Sequence, residues 1–373
     1  MTRKQKSVSR FFTLTASMAA ALLACAGHAQ AQNQMEVAQI VPLSGPLASV
    51  GKEINSITQA TIAAFNKTGG TQIVLKTYDD GNVADRSTQL ATQATAHAQA
   101  LISCFGSVGC MAQQKVSATA GVPLIGPIAG AAPLRGKAAA LTYAVRASAT
   151  SEVGRLLNFA DTTGLNAVAV LVQDDGFGRS YAAEIDKLAP DHAKLKITRA
   201  MFNPASADYG KALAELTAAS PNVLLLLANS AHSTGFLNAW KNKQPLPFVL
   251  NLAGQANSQF AAGMKGFVGT AAFATVTPSP WEQKLPVQRD YQSVAKAAGL
   301  QPSYLGFEAY LNARALTEAV KHAKSTTKGD LARWLDSTPG IDLGGYRLSY
   351  SGEKLGSNFT DLSVLLPDGS YRH

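Results

Sequence analysis

VAQIVPLSGPLASVGKEINSITQATIAAFNKTGGTQIVLKTYDDGN, residues 37–82, reads as a strand, a turn, a helix and a second strand. Val37–Val41 is the first buried strand. Ile54, Ile57, Ile62 and Phe65 then recur at helical spacing, with Lys52, Glu53, Asn55 and Gln59 on the opposite face. Gly69-Gly70 supplies the positive-φ residue that ends such a helix, and Ile73–Tyr78 resumes as a strand. The turn PLSGPLASVG therefore sets backbone N–H groups at a helix N-terminus, beyond the carboxyl end of a strand. Ligands of open α/β sheets sit there, and the position suits a carboxylate or another anion. Ser44 and Gly45 are its candidate binding residues, with plain turn chemistry as the alternative role for Ser44.

The N-terminus reads as an export signal. Arg3, Lys4, Lys6 and Arg10 precede an uncharged apolar run from Phe11 to Ala26, and Ala29-Gln30-Ala31 offers a cleavage site, so residues 1–31 are expected to be removed. The run is shorter than the roughly 20 apolar residues that span a bilayer, which disfavours a membrane anchor. Lipidation at Cys25 is the lesser alternative to cleavage. The mature protein is expected in the periplasm. The chain has 33 Lys+Arg against 24 Asp+Glu, and four of the basic residues lie in the leader, leaving 29 against 24. That small excess is spread without a basic run, so no nucleic-acid partner is expected.

Two cysteines remain after the leader, Cys104 and Cys110 in LISCFGSVGCMAQ. In an oxidising compartment they suit a disulfide; two buried free thiols are the alternative. The six histidines show no ligand spacing to the cysteines or to one another, so neither a metal nor a cofactor is expected.

About 340 mature residues suit two lobes better than one core. Apolar strand-like runs lie near Val37–Val41, Ile73–Tyr78, Ala100–Phe105, Val122–Ile125, Ala167–Val172, Val223–Leu227, Phe248–Leu250 and Gly269–Ala274. Helical patterns separate them, at Ser151–Thr162, Ser180–Leu188, Tyr209–Ala219 and Ser233–Lys241 among others. Continuous apolar strands alternating with helices indicate α/β architecture with parallel sheets covered on both faces. Glu308–Ala323 reads as a long amphipathic helix. Beyond it, GGYRLSYSGE and FTDLSVLLPDGS read as short antiparallel strands with an Asp-Gly hairpin signal.

Enzymatic signatures are missing. Gly45 and Gly51-Lys52 have five residues between the glycines where a phosphate-binding loop needs four, and Glu53 replaces the required Ser/Thr. The first strand-turn-helix lacks G-x-G-x-x-G, and no G-x-S-x-G elbow occurs. Asp79-Asp80 and Asp174-Asp175 are adjacent pairs whose side chains diverge; they read as turn and cap residues.

Six segments in order, PLSGPLASVGKE (42–53), TYDDGN (77–82), AGVPLIGPIAGAAPL (120–134), LVQDDGFGRS (171–180), PASADYGKALAELTAASPNVLLLLANS (204–230) and PSYLGFEAYLNARALTEAV (302–320), cover essentially the whole mature chain. In this the sequence resembles the type I periplasmic binding proteins, in the leucine/isoleucine/valine-binding branch that serves ABC importers. The resemblance implies two doubly wound parallel-sheet lobes joined by three crossovers, with the ligand cleft between them. Lobe one would comprise residues 35–146 and 277–341, and lobe two 147–276 and 342–373, with hinges near Ala147, Thr275 and Gly340. It implies a monomer that hands a small ligand to an inner-membrane permease. A periplasmic sensor of the same fold is the alternative, and an exported enzyme a further one.

The resemblance also implies site residues. The ligand carboxylate would be gripped by Ser44-Gly45, by Ser107 and Val108, and by Ala129, Gly130 and Ala131, where the family commonly has a Ser or Thr. Phe177 stands in the place of the family's Tyr, keeping the ring and losing the hydroxyl; such a ring packs on an apolar or aromatic group. Asn229 and Ser230, or His232 nearby, align with a ligand-facing aromatic. Leu252 or Gln255 stands where the family places the acid that pairs with an amino-acid ammonium. Losing a charge-assisted hydrogen bond costs about 1.5–3 kcal/mol. The expected ligand is thus a hydrophobic or branched-chain amino acid, or a related acid with no amino group.

Overall fold

The computed structural model describes residues 34–136, 139–264, 270–350 and 356–372. The leader, with Cys25 and the cleavage site, lies outside the described residues, as does Gly269 of the expected eighth strand. Strands β1 (Gln34–Val41), β2 (Gln72–Asp79), β3 (Ala100–Ile102), β4 (Leu124–Ile125) and β5 (Thr142–Tyr143) form one sheet in the order β2-β1-β3-β4-β5. Every pairing in it is parallel. The order reverses beside β1, so the carboxyl ends of β1 and β3 flank a topological switch point.

A second sheet has the order β14-β13-β10-β9-β8-β6-β7. Its strands are β6 (Ala167–Gln173), β7 (Lys196–Phe202), β8 (Val223–Leu227), β9 (Phe248–Asn251), β10 (Ala271–Thr275), β13 (Asp361–Leu365) and β14 (Tyr371–Arg372). β6 to β10 pair in parallel, whereas β13 and β14 add antiparallel through the Asp368-Gly369 turn. A hairpin of β11 (Gly340–Asp342) and β12 (Arg347–Ser349) stands apart.

Both sheets are buried on both faces, and period-two alternation sorts the side chains. In β8, Leu224 and Leu226 enter one core while Val223, Leu225 and Leu227 enter the other. In β1, Met35 and Val37 face one core and Ala38 and Ile40 the other. The covering helices in chain order are α1 (Ala48–Asn66), α2 (Ala84–Thr95), α3 (Ser107–Ala120), α4 (Ala149–Thr162), α5 (Gly176–Leu188), α6 (Gly210–Ala218), α7 (Ser230–Lys241), α8 (Ser258–Gly263), α9 (Pro286–Ala297), α10 (Tyr304–His322) and α11 (Lys328–Ser337). The same tight strand-to-helix turn recurs in each lobe. A Cβ on Gly51 of α1 would fall 1.9 Å from Pro42 O, and one on Gly178 of α5 2.0 Å from Gln173 O. Only glycine lets each helix start this close to its strand.

Three crossovers connect the lobes: between β5 and α4, between β10 and α9, and before β13. The third differs from the expected boundary at 342. Leu343, Tyr346, Leu348 and Tyr350 pack in the same apolar cluster as β1, α1 and α10, so the chain stays with lobe one through the hairpin. It joins lobe two only where Asp361 pairs with Thr275. The apolar face of β11–β12, carrying Ile341 and Leu348, drives this placement. Tyr346 then ties two crossovers together, its hydroxyl lying 2.9 Å from Val276 O and 3.2 Å from Val145 O.

Candidate functional site

The carboxyl ends of both sheets face a common cleft with a cavity volume of about 70 Å³. Lobe one contributes Leu47, Asn82, Phe105, Gly106, Ser107, Val108 and Ile128. Lobe two contributes Gln173, Asp175, Phe177, Tyr181, Ala228, Asn229, Ser230, Leu252, Gly254 and Gln255, and Arg146 lies at the first crossover. The lobes touch at the rim: Gln259 Nε2 donates to Pro46 O at 2.7 Å, and Gly176 faces Met111 and Val108.

Helices α3, α5 and α7 begin at this cleft, and their N-termini differ. Asp175 caps α5, accepting from Phe177 N at 2.9 Å and Gly178 N at 3.0 Å. Asn229 caps α7, accepting from His232 N at 3.1 Å. The residue before α3 is Gly106 (φ 75°), which has no side chain to cap with. Its first-turn N–H groups therefore face the cleft without a capping acceptor. Beside them, Ser107 is 1% exposed and its hydroxyl is buried without a partner among the described residues. A buried hydroxyl without a partner costs free energy that an incoming acceptor would recover.

The opening turn is organised otherwise. Leu43 N and Ser44 N both donate to Asp79 Oδ1, at 2.8 and 3.1 Å, and Gly81 N donates to the same atom at 2.9 Å. Burial raises the Asp79 carboxyl, but hydrogen bonds from the Ser44 hydroxyl and these N–H groups outweigh it and hold the group below the ordinary carboxylate range. The acceptor in this turn is thus the protein's own Asp79, whereas α1 itself starts after Leu47 without a side-chain cap. Ser44 and Gly45 do not line the cleft; Leu47, one turn on, does.

Ala129, Gly130 and Ala131 also stand off the cleft lining. They form the seat of the first crossover. Gly130 O accepts from Ala149 N at 2.8 Å, and a Cβ on Gly130 would fall 2.4 Å from the Tyr181 hydroxyl. Ser107, Val108, Phe177, Asn229, Ser230, Leu252 and Gln255 do come together around the cleft. Phe177 is half-buried, with its ring 5.2 Å from that of Tyr181. Gln255 is 2% exposed with its amide engaged: Oε1 accepts from Leu252 N at 2.9 Å, and Nε2 donates to Ala228 O and to Ser233 Oγ. It joins the loops after β8 and β9.

Three charged groups at and behind the cleft were not among the residues expected from the sequence. Asp175, read as a cap, is one, and it is the carboxylate among the described cleft-lining residues. Its Oδ2 accepts from Gln173 Nε2 at 2.6 Å. The other two are Arg146 and the carboxylates behind it. Arg146 pairs with Glu152 of α4 and lies 3.5 Å from Glu308 of α10, and all three are at most 3% exposed. Tyr181 Oη donates to Glu152 Oε1 at 2.9 Å, and Ala253 N donates to Oε2 at 3.0 Å. Arg135 backs the cluster, donating to Arg146 O at 3.0 Å and Ala147 O at 2.9 Å. Burial pushes Glu308 up to about 7, with Arg146 opposing and Glu152 reinforcing the shift. The available signal was a glutamate in the first turns of α10, which are apolar and buried on every side.

Cys104 and Cys110 are joined, with Cα atoms 5.3 Å apart. The bridge brackets Phe105–Gly109, so it closes the loop that carries Ser107 and the start of α3.

Two doubly wound lobes with a cleft at their facing carboxyl edges define a two-lobed solute-binding protein. The chain belongs to the periplasmic binding protein family, whose model matches residues 34–358. It is similar in structure to an extracellular ligand-binding receptor from Verminephrobacter eiseniae, at 25% identity and TM-score 0.81, over 91% of this chain and 100% of that one. It is also similar to a substrate-binding periplasmic protein from Ralstonia solanacearum, at 24% identity and TM-score 0.81, over 90% and 99% of the two chains. A leucine-binding protein from Thermotoga maritima shares the fold at 16% identity and TM-score 0.80, over 91% and 97%. No curated protein matches the sequence. Among the described residues no helix is long and apolar enough to cross a membrane.

Proposed function

We propose that this chain is the exported solute-binding component of an ABC importer, and that it traps a small carboxylate-bearing ligand with an apolar body by closing its lobes. The observation that carries this reading is the uncapped N-terminus of α3 beside the unpartnered Ser107 hydroxyl, both at the cleft. An N-terminus of this kind favours negative charge through its N–H groups and dipole. Leu47, Phe105, Val108, Ile128, Phe177 and Leu252 supply apolar walls for the rest of the ligand. Family membership supports the transport role, and the ligand passes to a permease in the inner membrane.

The ligand class follows from where carboxylates are. Neither Leu252 nor Gln255 offers one, and Asp175 already accepts three hydrogen bonds. An ammonium group thus meets no carboxylate without prior engagements, and aliphatic or aromatic acids are the preferred class. Thermal shift against leucine, isoleucine and phenylalanine beside 4-methylpentanoate, 3-methylpentanoate and 3-phenylpropanoate tests this. Ligand at 100 times its Kd stabilises by about 2.7 kcal/mol, a readable shift. The acids are expected to raise Tm. A strong shift by the amino acids alone would assign Asp175 to the ammonium and overturn the preference.

A further inference from the structure

A second cavity lies outside the cleft, on the flank where both lobes meet. Its volume is about 470 Å³, and it is lined on the lobe-one side by Glu53 of α1 and the Leu300–Tyr304 segment, and on the lobe-two side by Ser258 of α8 and Tyr371 of β14. Three rings gather there. Trp281 stacks on Tyr371 with centroids 5.7 Å apart and planes 13° from parallel. Tyr304 stands edge-on to both, at 5.3 Å from Trp281 and 5.6 Å from Tyr371. Trp281 is 42% exposed, unusual for an indole on a soluble protein.

One charged side chain faces this aromatic group. Glu53 accepts a hydrogen bond from Ser303 Oγ; burial raises its carboxyl above the ordinary range, and the Ser303 and Ser258 hydroxyls oppose that shift. No Lys, Arg or His is among the described residues lining the cavity. The Tyr371 hydroxyl, also in the lining, is buried without a partner among the described residues. Ile57, Leu300 and Pro302 complete an apolar wall.

We propose that this flank cavity is a second binding site, taking a small organic cation of the alkylammonium class. The chemistry selects by exclusion. An anion would face Glu53 with no compensating base, and a neutral apolar guest would desolvate the carboxylate with nothing returned. A cation with an apolar skin is attracted by the electron-rich ring faces and by the carboxylate together; each ring contributes on the order of 0.5–2 kcal/mol. The Tyr371 hydroxyl supplies an oxygen acceptor at the same place. Because both lobes line the cavity, a guest here favours the arrangement in which they are apposed. By linkage it raises affinity in the main cleft, and a cleft ligand raises affinity here by the same factor.

Choline chloride and its uncharged carbon isostere 3,3-dimethylbutan-1-ol are the probes, titrated into the purified full mature protein by calorimetry and by tryptophan fluorescence. Choline is expected to bind with a tryptophan fluorescence change that Trp281→Phe removes. The isostere should bind at least tenfold more weakly. Glu53→Gln and Trp281→Ala should each weaken choline tenfold or more with an unchanged circular dichroism spectrum. Ser107→Ala, in the main cleft, should leave choline affinity unchanged. The proposal is overturned if choline does not bind, if the isostere binds equally well, if Trp281→Ala has no effect, or if Ser107→Ala abolishes choline binding. That last result would place choline in the main cleft, and loss of carboxylate binding in Ser107→Ala would be read separately.

Discussion

Ser107 and Ser44 are the same residue type at the same kind of place, a turn between a strand and a helix, yet their surroundings differ. The N–H groups of Leu43, Ser44 and Gly81 already share Asp79 Oδ1, whereas the hydroxyl of Ser107 has no partner among the described residues. That difference was not legible in the sequence, because Asp79 lies 35 residues away and reaches Ser44 only through the β1–β2 pairing. Phe177 was expected at the cleft from the family resemblance, and its ring stands in the cleft lining. It is half-buried at the cleft wall, so truncation removes ligand contact while leaving the core largely intact. Phe177→Ala is expected to weaken binding by tenfold or more with an unchanged circular dichroism spectrum. Wild-type affinity in that variant would return the ring to a purely structural role.

Elements were legible in proportion to how apolar their buried faces are. β8 falls on the residues expected, Val223–Leu227, since five consecutive aliphatic residues are buried on both faces. β7 was not foreseen. It is the edge strand of its sheet, and KITRAMF is only partly buried, with Lys196 and Arg199 breaking any apolar run. α3, which carries the proposed anion site, was equally hidden. Its buried face is Ser107, Gly109, Cys110, Gln113 and Ser117, so no apolar periodicity marks it. The Cys104–Cys110 bridge holds the start of this helix to the end of β3. On the chain-entropy model a loop this short stabilises by about 2 kcal/mol. Replacing both cysteines by serine is expected to lower unfolding free energy by about that amount in urea titrations. It should also weaken the cleft ligand, since the bracketed loop contains Ser107. Unchanged affinity would show that α3 is positioned without the bridge.

At the scale of the whole molecule, the two-lobe plan was legible from the alternation of strands and helices, whereas the ion cluster between the lobes was not. Its members are scattered over residues 135–308 and meet only after the sheets form. Glu308 has consequences for pH. Its folded value, raised by burial to about 7, exceeds that of the unfolded chain, so the native state binds the extra proton between about pH 4.5 and 7. Stability from this group is present in full below that window and is lost as pH rises through 7. The groups around it are Arg146, Glu152 and Arg135. The Glu308→Gln variant removes the titration. The stability of the native protein relative to this variant is expected to fall by on the order of 3 kcal/mol between pH 4.5 and 8. A difference independent of pH would mean that Glu308 stays ionised throughout.

On the proposed reading, α3 and Ser107 hold a carboxylate between the lobes. Its most direct test is calorimetric titration of 4-methylpentanoate and 4-methylpentanamide into the native protein and into Ser107→Ala. The acid should bind at least tenfold more tightly than the amide, and Ser107→Ala should weaken the acid by ten- to a hundredfold, as the loss of a hydrogen bond to a charged group implies. Equal affinity for acid and amide, or an acid that binds Ser107→Ala as well as the native protein, would contradict it.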